Sequence, residues 1–300
     1  MMFSSLKRRA MVKPEASYYY WRYAVNSLRT WRAMRHVPAY SDTARIAQEL
    51  EEEGIVRGDT SVFLTGEGQR HFAEVSRQML ETSRSPEVRE ILESDGASVD
   101  VSGNPKKASY LVNLLSRGEV YSPDSALIKL VLDAKLLEII AAYLGLWPRV
   151  HAVNGWLNFP TDDTAQASQM WHRDPEDLKM IKVFIYLVDV DEDRGPFSFV
   201  PKTHSFGADA GKVPEHKDRK RITDEEINLV FPPEKHLICT GPANTMVLAD
   251  TVGYHRGGKP RSGNRILLNI TYTSAWPSKR QLSVRGKPSW QMNEMQRRAL

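Results

Sequence analysis

The sequence predicts an antiparallel β-sandwich or barrel that follows a helical N-terminal half. Two observations lead to this prediction. Residues 41–145 contain several stretches with helix start and stop signals. After residue 150, five stretches are rich in β-branched and aromatic residues, namely VHAVNGWLNF, IKVFIYLVDV, FSFV, NTMVLA and RILLNITYTS. Strands in series without long intervening helices favour antiparallel pairing.

The helices of the first half are predicted one by one. Ser41 and Asp42 begin a helix that continues to Glu53, and Gly54 ends it. The stretches TGEGQRHFAEVSRQMLETS and SPEVREILES predict two more helices. The stretch SPDSALIKLVLDAKLLEIIAAYLG predicts one broken helix or two consecutive helices, of which Gly145 closes the last.

Turn residues separate the predicted strands, and one insertion interrupts them. Thr223 followed by Glu226 is the pattern of a capping box, so residues 205–240 are predicted to form a lid or insertion with a short helix. No repeat or linker marks a domain boundary. We therefore expect one domain over residues 1–300. It consists of a mostly helical part (1–145), a β core (146–276) and a C-terminal tail (277–300).

Composition is that of a soluble globular protein, with 41% hydrophobic and 26% charged residues. The single cysteine, Cys239, excludes an internal disulfide and suits a reducing compartment. No run of about 18 apolar residues predicts a membrane span, and the N-terminus lacks the apolar stretch of a signal peptide. The expected location is cytoplasmic, and Cys239 is expected to be a passive apolar residue.

The first 38 residues are strongly basic. They carry eight Lys and Arg residues against one acid, Glu15, with tyrosines and tryptophans between them. Such a segment could contact nucleic acid, an anionic membrane or a phosphorylated substrate. The alternative is a solvated helix that docks its aromatic residues on the domain. Because no binding motif accompanies the charge, we do not expect nucleic acid as a partner.

The letters His172-Arg173-Asp174 first suggest a kinase catalytic loop. That loop requires Asn five residues after the Asp, where this chain has Lys179. No D-F-G triplet follows, and GEGQRH lacks the last glycine of a glycine-rich loop. The sequence therefore excludes a kinase.

A metal site is the better interpretation of the same letters. On a strand, His172 and Asp174 point to one face and could bind one ion. A facial iron site needs a second histidine, and His255 follows the strand NTMVLAD. Ten residues later, Arg265 opens the next strand, where its guanidinium could grip a carboxylate.

These segments resemble the phytanoyl-CoA dioxygenase family of iron(II)- and 2-oxoglutarate-dependent oxygenases. The resemblance rests on HRD, DRGPFSFVPKTH and HRGGKPRSGNR, and it covers roughly residues 133–273. Two departures are Lys202 and Asn244, which stand where the family usually has glycine. The resemblance implies a mainly β double-stranded β-helix, a cupin-like jelly-roll. It also implies that His172, Asp174 and His255 hold Fe(II), while Arg265 binds the distal carboxylate of 2-oxoglutarate.

Several neighbouring residues are candidates for the pocket. Asn154, Trp156 and Asn158 alternate along one strand and share a face, and Asn269 is in phase with Arg265. Among them, Asn158, Trp156 and Asn269 are candidate cofactor-binding residues, although a core or solvent-facing strand face is the equally weighted alternative. His204, in PKTH, is expected near the site without being a ligand.

The resemblance implies a dioxygenase that consumes O2 and 2-oxoglutarate, releases succinate and carbon dioxide, and hydroxylates an unactivated C–H bond of a small metabolite. The basic N-terminus and HKDRKR (216–221) favour an anionic substrate. Two alternatives remain. One is a cupin oxygenase that does not use 2-oxoglutarate. Arg265 disfavours it, because such an enzyme has no distal carboxylate for this arginine to bind. The other is a non-catalytic jelly-roll module that contacts nucleic acid or membrane through its basic segment. Substrate identity and oligomeric state are not predictable from the sequence.

Overall fold

Two antiparallel sheets form the centre of the fold. The computed structural model describes residues 18–93, 110–115, 120–212, 221–277 and 281–300. The large sheet has six strands in the order β1-β8-β5-β10-β4-β2, and the small sheet has three in the order β7-β6-β9. Strands β3 and β11 form a separate pair. In chain order, the described strands are β1 (Ile55–Asp59), β2 (Leu111–Asn113), β3 (Val120–Tyr121), β4 (Arg149–Asn158), β5 (Ile181–Tyr186), β6 (Phe197–Phe199), β7 (Leu237–Cys239), β8 (Thr245–Ala249), β9 (His255–Gly257), β10 (Arg265–Thr273) and β11 (Ser283–Val284).

Helices occupy the predicted positions, but the N-terminal part also supplies strands. Thr65 caps the start of the helix Gly66–Thr82, and Asp133 caps the start of the helix Ala134–Leu144. Gly54 ends the helix Thr43–Glu53 and Gly145 ends the helix Ala134–Leu144, both in the left-handed conformation. Strands β1 and β2, which the sequence did not predict, lie at the two edges of the large sheet. The described α-helices are α1 (Ser27–Arg35), α2 (Thr43–Glu53), α3 (Thr60–Phe63), α4 (Gly66–Thr82), α5 (Pro86–Glu93), α6 (Ala126–Val131), α7 (Ala134–Leu144), α8 (Asp224–Asn228) and α9 (Glu294–Ala299).

The large sheet has two chemically different faces because side chains alternate along each strand. Along β10, Ile266, Leu268, Ile270 and Tyr272 pack with the helices in the main hydrophobic core. The opposite face looks toward the small sheet, and apolar residues of both sheets meet there in one cluster. Two sheets packed in this way are the jelly-roll arrangement that the sequence resemblance implied. The inner face also contains buried polar residues, among them Asn158, Arg265 and Asn269.

The basic N-terminal segment docks on the domain where it is described. Trp21 is buried, and its indole Nε1 donates to Asp177 Oδ1 over 2.7 Å. Arg29 donates to the carbonyls of Trp147, Pro148 and Arg298. The segment therefore docks on the domain through Trp21 and Arg29, but it does not pack most of its other aromatic residues as expected, because Tyr19, Tyr20, Tyr23 and Trp31 are exposed. Lys7, Arg8, Arg9 and Lys13 lie outside the described residues.

The predicted insertion contains its short helix. Thr223 and Glu226 form the expected capping box at the start of α8. Most of the charged HKDRKR stretch lies outside the described residues, and only Arg221 is within them. No helix in the described part of the chain is long and apolar enough to cross a membrane.

Candidate metal centre

Two histidines meet as a cross-strand pair at the edge of the small sheet. His172 and His255 exchange backbone hydrogen bonds of 2.9 and 3.0 Å, so they lie directly opposite each other. On the other side of His255, Phe199 of β6 is its partner in the ladder. Residues opposite each other in an antiparallel ladder share a face. Phe199, His255 and His172 therefore form one row on the inner face.

Asp174 completes a compact group with these histidines. Its backbone N–H donates to Thr251 O over 2.8 Å. One carboxylate oxygen lies 3.3 Å from His255 Nε2, and the other lies 3.8 Å from His172 Nε2. One possible ligand atom from each of the three residues falls within 4.8 Å of the others. Two imidazoles and one carboxylate are the donor set of facial iron sites, so this group fits a divalent metal ion.

Backbone carbonyls orient both imidazole rings toward Asp174. His172 Nδ1 lies 2.9 Å from Met170 O, and His255 Nδ1 lies 3.0 Å from Gly253 O. A carbonyl only accepts, so each Nδ1 carries a proton, and in the neutral ring the lone pair is then on Nε2. The histidines are thereby fixed in the tautomer that presents Nε2 to a metal ion.

The ionisation states also suit metal binding. Burial, with His255 and Arg221 adding to it, lowers the pKa of His172 to about 2, so His172 is neutral at physiological pH. Burial alone would raise the pKa of Asp174, but the charge of Lys182, together with a hydrogen bond to His255, outweighs it and holds that pKa well below its usual range. Lys182 Nζ donates to Asp174 Oδ2 over 2.5 Å. The three residues thus present two imidazoles, of which His172 is neutral, and one carboxylate.

A single tight turn, Asp250–Gly253, supports both halves of the metal centre. Its carbonyls accept from Asp174 N, Arg173 Nε and His255 Nδ1. The turn is held by the fully buried Asp250 carboxylate, which accepts from Val252 N over 3.0 Å and from Tyr143 Oη over 2.6 Å. A displacement of this turn would therefore move Asp174 and His255 together.

Arg265 is a buried cation without an acidic partner in the described chain. It is 4% exposed, and burial lowers its pKa. Its guanidinium donates only a long hydrogen bond, 3.3 Å, to Gly258 O, and its Nε has no partner. A Cβ atom at Gly257 would lie 3.1 Å from Arg265 Nη2, so the glycine leaves this end of the guanidinium open. A buried guanidinium of this kind needs an anion, and a carboxylate fits it best.

The other candidate pocket residues lie on the same inner face. Asn158 is directly opposite Arg265, Trp156 is opposite Leu267, and Asn154 is opposite Asn269. Asn269 is 6% exposed, and its Nδ2 has no hydrogen-bond partner. The structure therefore places Asn158, Trp156 and Asn269 on the face that carries Arg265, as their alternation predicted.

His204 lies behind the centre. It is fully buried, and its Nε2 lies 3.0 Å from Glu51 O. A Cβ at Gly54 would approach His204 Nδ1 to 2.5 Å, so His204 packs tightly against the glycine that ends α2. Cys239 is buried, and burial raises the pKa of its thiol to about 12, which makes a thiolate unavailable.

The two departures from the family pattern keep the backbone geometry of glycine. Lys202 and Asn244 have φ angles of 67° and 73°, in the left-handed region. That region costs a non-glycine residue about 1–2 kcal/mol, and less for Asn. Both turns are therefore preserved although the side chains differ. Lys202 also pairs with Glu53 over 3.2 Å.

Sequence reasoning did not place three residues at the centre, although it counted Arg221 within the basic stretch HKDRKR. Lys182 contacts Asp174, Tyr143 supports the turn before His255, and Arg221 lies beside His172. Lys182 left a signal, because it is the only charged residue in the strand stretch IKVFIY and shares the phase of Phe184 and Tyr186. Tyr143 left none, since a tyrosine near a helix end is common.

Comparisons with known proteins agree with this geometry. Three solved structures share the fold. AviO1 from Streptomyces viridochromogenes Tue57 is 18% identical, with 81% of this chain and all of that chain covered and a TM-score of 0.51. EctD from S. alaskensis with bound Fe is 15% identical, with coverages of 84% and 85% and a TM-score of 0.51. EctD with 2-oxoglutarate and 5-hydroxyectoine is 16% identical, with coverages of 85% and 89% and a TM-score of 0.50.

No curated protein matches the chain significantly. The family model of phytanoyl-CoA dioxygenase, by contrast, matches residues 72–247, which is more than half of the chain and includes His172 and Asp174. Taken with the jelly-roll fold and the buried His-Asp-His group, this match shows that the chain belongs to the phytanoyl-CoA dioxygenase family.

Proposed function

We propose that this protein is an Fe(II)- and 2-oxoglutarate-dependent dioxygenase that hydroxylates a C–H bond of a small metabolite. The observation that carries the proposal is that the inner side, where the two sheets face each other, has two complementary features. It holds a group of two imidazoles and one carboxylate, and it holds the buried, unpaired guanidinium of Arg265. The first is suited to iron and the second to the far end of a dicarboxylate.

Each residue has a defined part in this proposal. His172, Asp174 and His255 would hold Fe(II) as catalytic residues. Arg265 would pair with the distal carboxylate of 2-oxoglutarate, and the free Nδ2 of Asn269 would donate to the same co-substrate.

Two further residues would bound the co-substrate site. Asn158 lies opposite Arg265 and would add a polar contact there, while Trp156 would form a wall of the pocket. The family pattern and the shared inner face support these assignments.

Bound iron supplies the activation of O2 that an unactivated C–H bond requires. The overall reaction consumes 2-oxoglutarate, O2 and the substrate, and it yields succinate, carbon dioxide and the alcohol. One oxygen atom enters succinate and the other enters the product. The chain's own contribution is to orient the ligands, to turn Nε2 of both histidines toward the metal position and to exclude water with the apolar residues around the row.

Two other functions fit less well. A cupin oxygenase that uses no 2-oxoglutarate would leave Arg265 as a buried charge with no anion to bind. A non-catalytic module would have no use for two histidines whose tautomers are fixed toward one carboxylate. Trp21 and Arg29 make contacts within the domain, so these two residues of the basic segment are engaged there.

Binding of two 2-oxoacids tests the proposal. We expect the iron-loaded protein to bind 2-oxoglutarate roughly a hundredfold more tightly than 2-oxobutyrate, which lacks the distal carboxylate. Arg265→Met should remove most of this preference, because it removes the carboxylate's partner. Anaerobic titration calorimetry measures both affinities. Arg261→Met, which removes an exposed arginine paired with Asp193, serves as control. Equal affinities in the parent would contradict the use of 2-oxoglutarate.

A further inference from the structure

A fourth residue continues the row that carries the two histidines. Trp171 and Ile222 exchange backbone hydrogen bonds of 3.2 and 2.9 Å in an antiparallel bridge. This register sets Arg221 directly opposite His172. Since opposite residues share a face, Arg221 lies on the inner side beside His172, while Trp171 and Ile222 pack in an outer cluster.

The guanidinium of Arg221 is incompletely paired. Its Nη1 is buried and has no hydrogen-bond partner. The positive charge of Arg221 is also close enough to His172 to add to the effect of burial in lowering the pKa of that histidine. An arginine that faces a pocket with a free terminal nitrogen can bind an anionic oxygen group.

Within the described part of the chain, no acidic side chain pairs with Arg221. Among the described residues on this side, the two positive charges of Lys182 and Arg265 equal the two negative charges of Asp174 and Glu176. Lys182 Nζ contacts Asp174 directly, and it lies 3.9 Å from Glu176 Oε1. An iron(II) ion and a 2-oxoglutarate dianion would cancel each other's charge. One positive charge therefore remains beside the metal ligands, on a partly buried arginine whose Nη1 is out of contact with solvent.

We infer that Arg221 binds an anionic oxygen group, a carboxylate or a phosphate, of the substrate and so holds the substrate beside His172. This inference rests on the proposed function, because it assigns the substrate class of the same site. It makes Arg221 a specificity-determining residue, whereas Arg265 is reserved for the co-substrate.

Arg256 provides a matched control for Arg221. Arg256 directly follows His255 in β9, so its side chain points to the opposite face from His255, which is the outer side. Its guanidinium lies 4.8 Å over the ring of Trp171 and pairs with Asp224. Arg256→Met and Arg221→Met therefore change the net charge equally, and only the second changes the inner side of the row.

The experiment measures binding of acetate, inorganic phosphate and the neutral acetamide to the full chain. The protein is held anaerobically with Fe(II) and saturating 2-oxoglutarate at constant ionic strength. Calorimetry reports affinity, and the visible band of iron-bound 2-oxoglutarate shows whether a probe displaces the co-substrate. Thermal melting checks that Arg221→Met, Arg221→Lys and Arg256→Met are folded.

The expected result is that an anionic probe binds the parent roughly tenfold or more tightly than acetamide without bleaching the band. Arg221→Met should abolish this preference, and Arg221→Lys and Arg256→Met should keep it. Tighter binding of acetate or of phosphate then names the anionic group. The inference is overturned if the parent shows no preference, or if Arg221→Met retains it while the band is normal. Absence of the band in the parent overturns the proposed function, and the inference with it.

Discussion

At the scale of single residues, the centre depends on groups that hold the ligands in one chemical state. Carbonyl oxygens of Met170 and Gly253 accept from the two Nδ1 atoms, and Lys182 keeps Asp174 ionised. Partners of this kind commonly change metal affinity 10–100-fold when they are removed. The three ligands are therefore preorganised before a metal ion binds.

The pKa of His172 makes the stability of the metal-free protein depend on pH. Because burial keeps His172 neutral in the fold, with a pKa of about 2, protons bind it only in the unfolded chain below about pH 6.5. Stability is then lost as the pH falls below 6.5, by up to about 1.4 kcal/mol per pH unit from this group. Between pH 6.5 and 5, we expect the unfolding free energy of His172→Ala to fall less steeply with decreasing pH than that of the parent. The difference in slope should be up to about 1.4 kcal/mol per pH unit. Urea unfolding of both metal-free proteins measures it, and parallel plots would contradict it.

The sequence predicts a site residue only where its role requires a characteristic order or spacing of residues along the chain. His172, Asp174, His255 and Arg265 come in a characteristic order along the chain, and the structure brings the first three together on one face. The sequence marked Arg221 only as part of the basic stretch HKDRKR, and not as a residue of the centre. Its place beside His172 follows only from the bridge between Trp171 and Ile222, which joins distant segments.

At the scale of elements, the turn Asp250–Gly253 is the part on which the centre most depends. It joins β8 to β9, and its carbonyl oxygens accept hydrogen bonds from Arg173, Asp174 and His255. Its anchor is remote in sequence, because Tyr143 at the end of α7 donates to the Asp250 carboxylate. A helix packed against the outer face of the large sheet is thus connected to the metal centre.

Removal of one hydroxyl tests this connection. We expect Tyr143→Phe to weaken metal binding roughly tenfold, because the turn loses the partner of its buried carboxylate. Tyr272→Phe is the matched control. Tyr272 is equally buried, but its hydroxyl donates to Val131 O, away from the centre. Competition with a chelator, using Co(II), measures the affinity, and urea unfolding measures stability. Equal metal affinities in the two variants would show that the turn does not position the ligands.

The elements themselves were predictable where local signals are strong. Capped helices such as α2, α4 and α7 begin and end near the expected residues because their caps are local. Strands β1 and β2 were missed for the opposite reason. Both are short, and they become strands by pairing with β8 and β4, which lie far away in the sequence.

At the scale of the whole molecule, the N-terminal part and the β core share the large sheet. Strands β1 and β2 flank the large sheet, and most helices cover its outer face. Trp21 reaches the loop after Asp174 through Asp177, and Arg29 reaches both the start of β4 and the C-terminal helix. The prediction of one domain remains a prediction, but these contacts support it over a separable N-terminal module.

The most direct test of the central claim is the visible charge-transfer band of a 2-oxoacid chelated to iron. The protein is prepared without metal, and Fe(II) and 2-oxoglutarate are added anaerobically. We expect a band in the parent, no band in His172→Ala and a weaker band at limiting 2-oxoglutarate in Arg265→Ala. A parent protein that binds iron and shows no band would contradict the use of 2-oxoglutarate. A parent that binds no iron would contradict the metal centre itself.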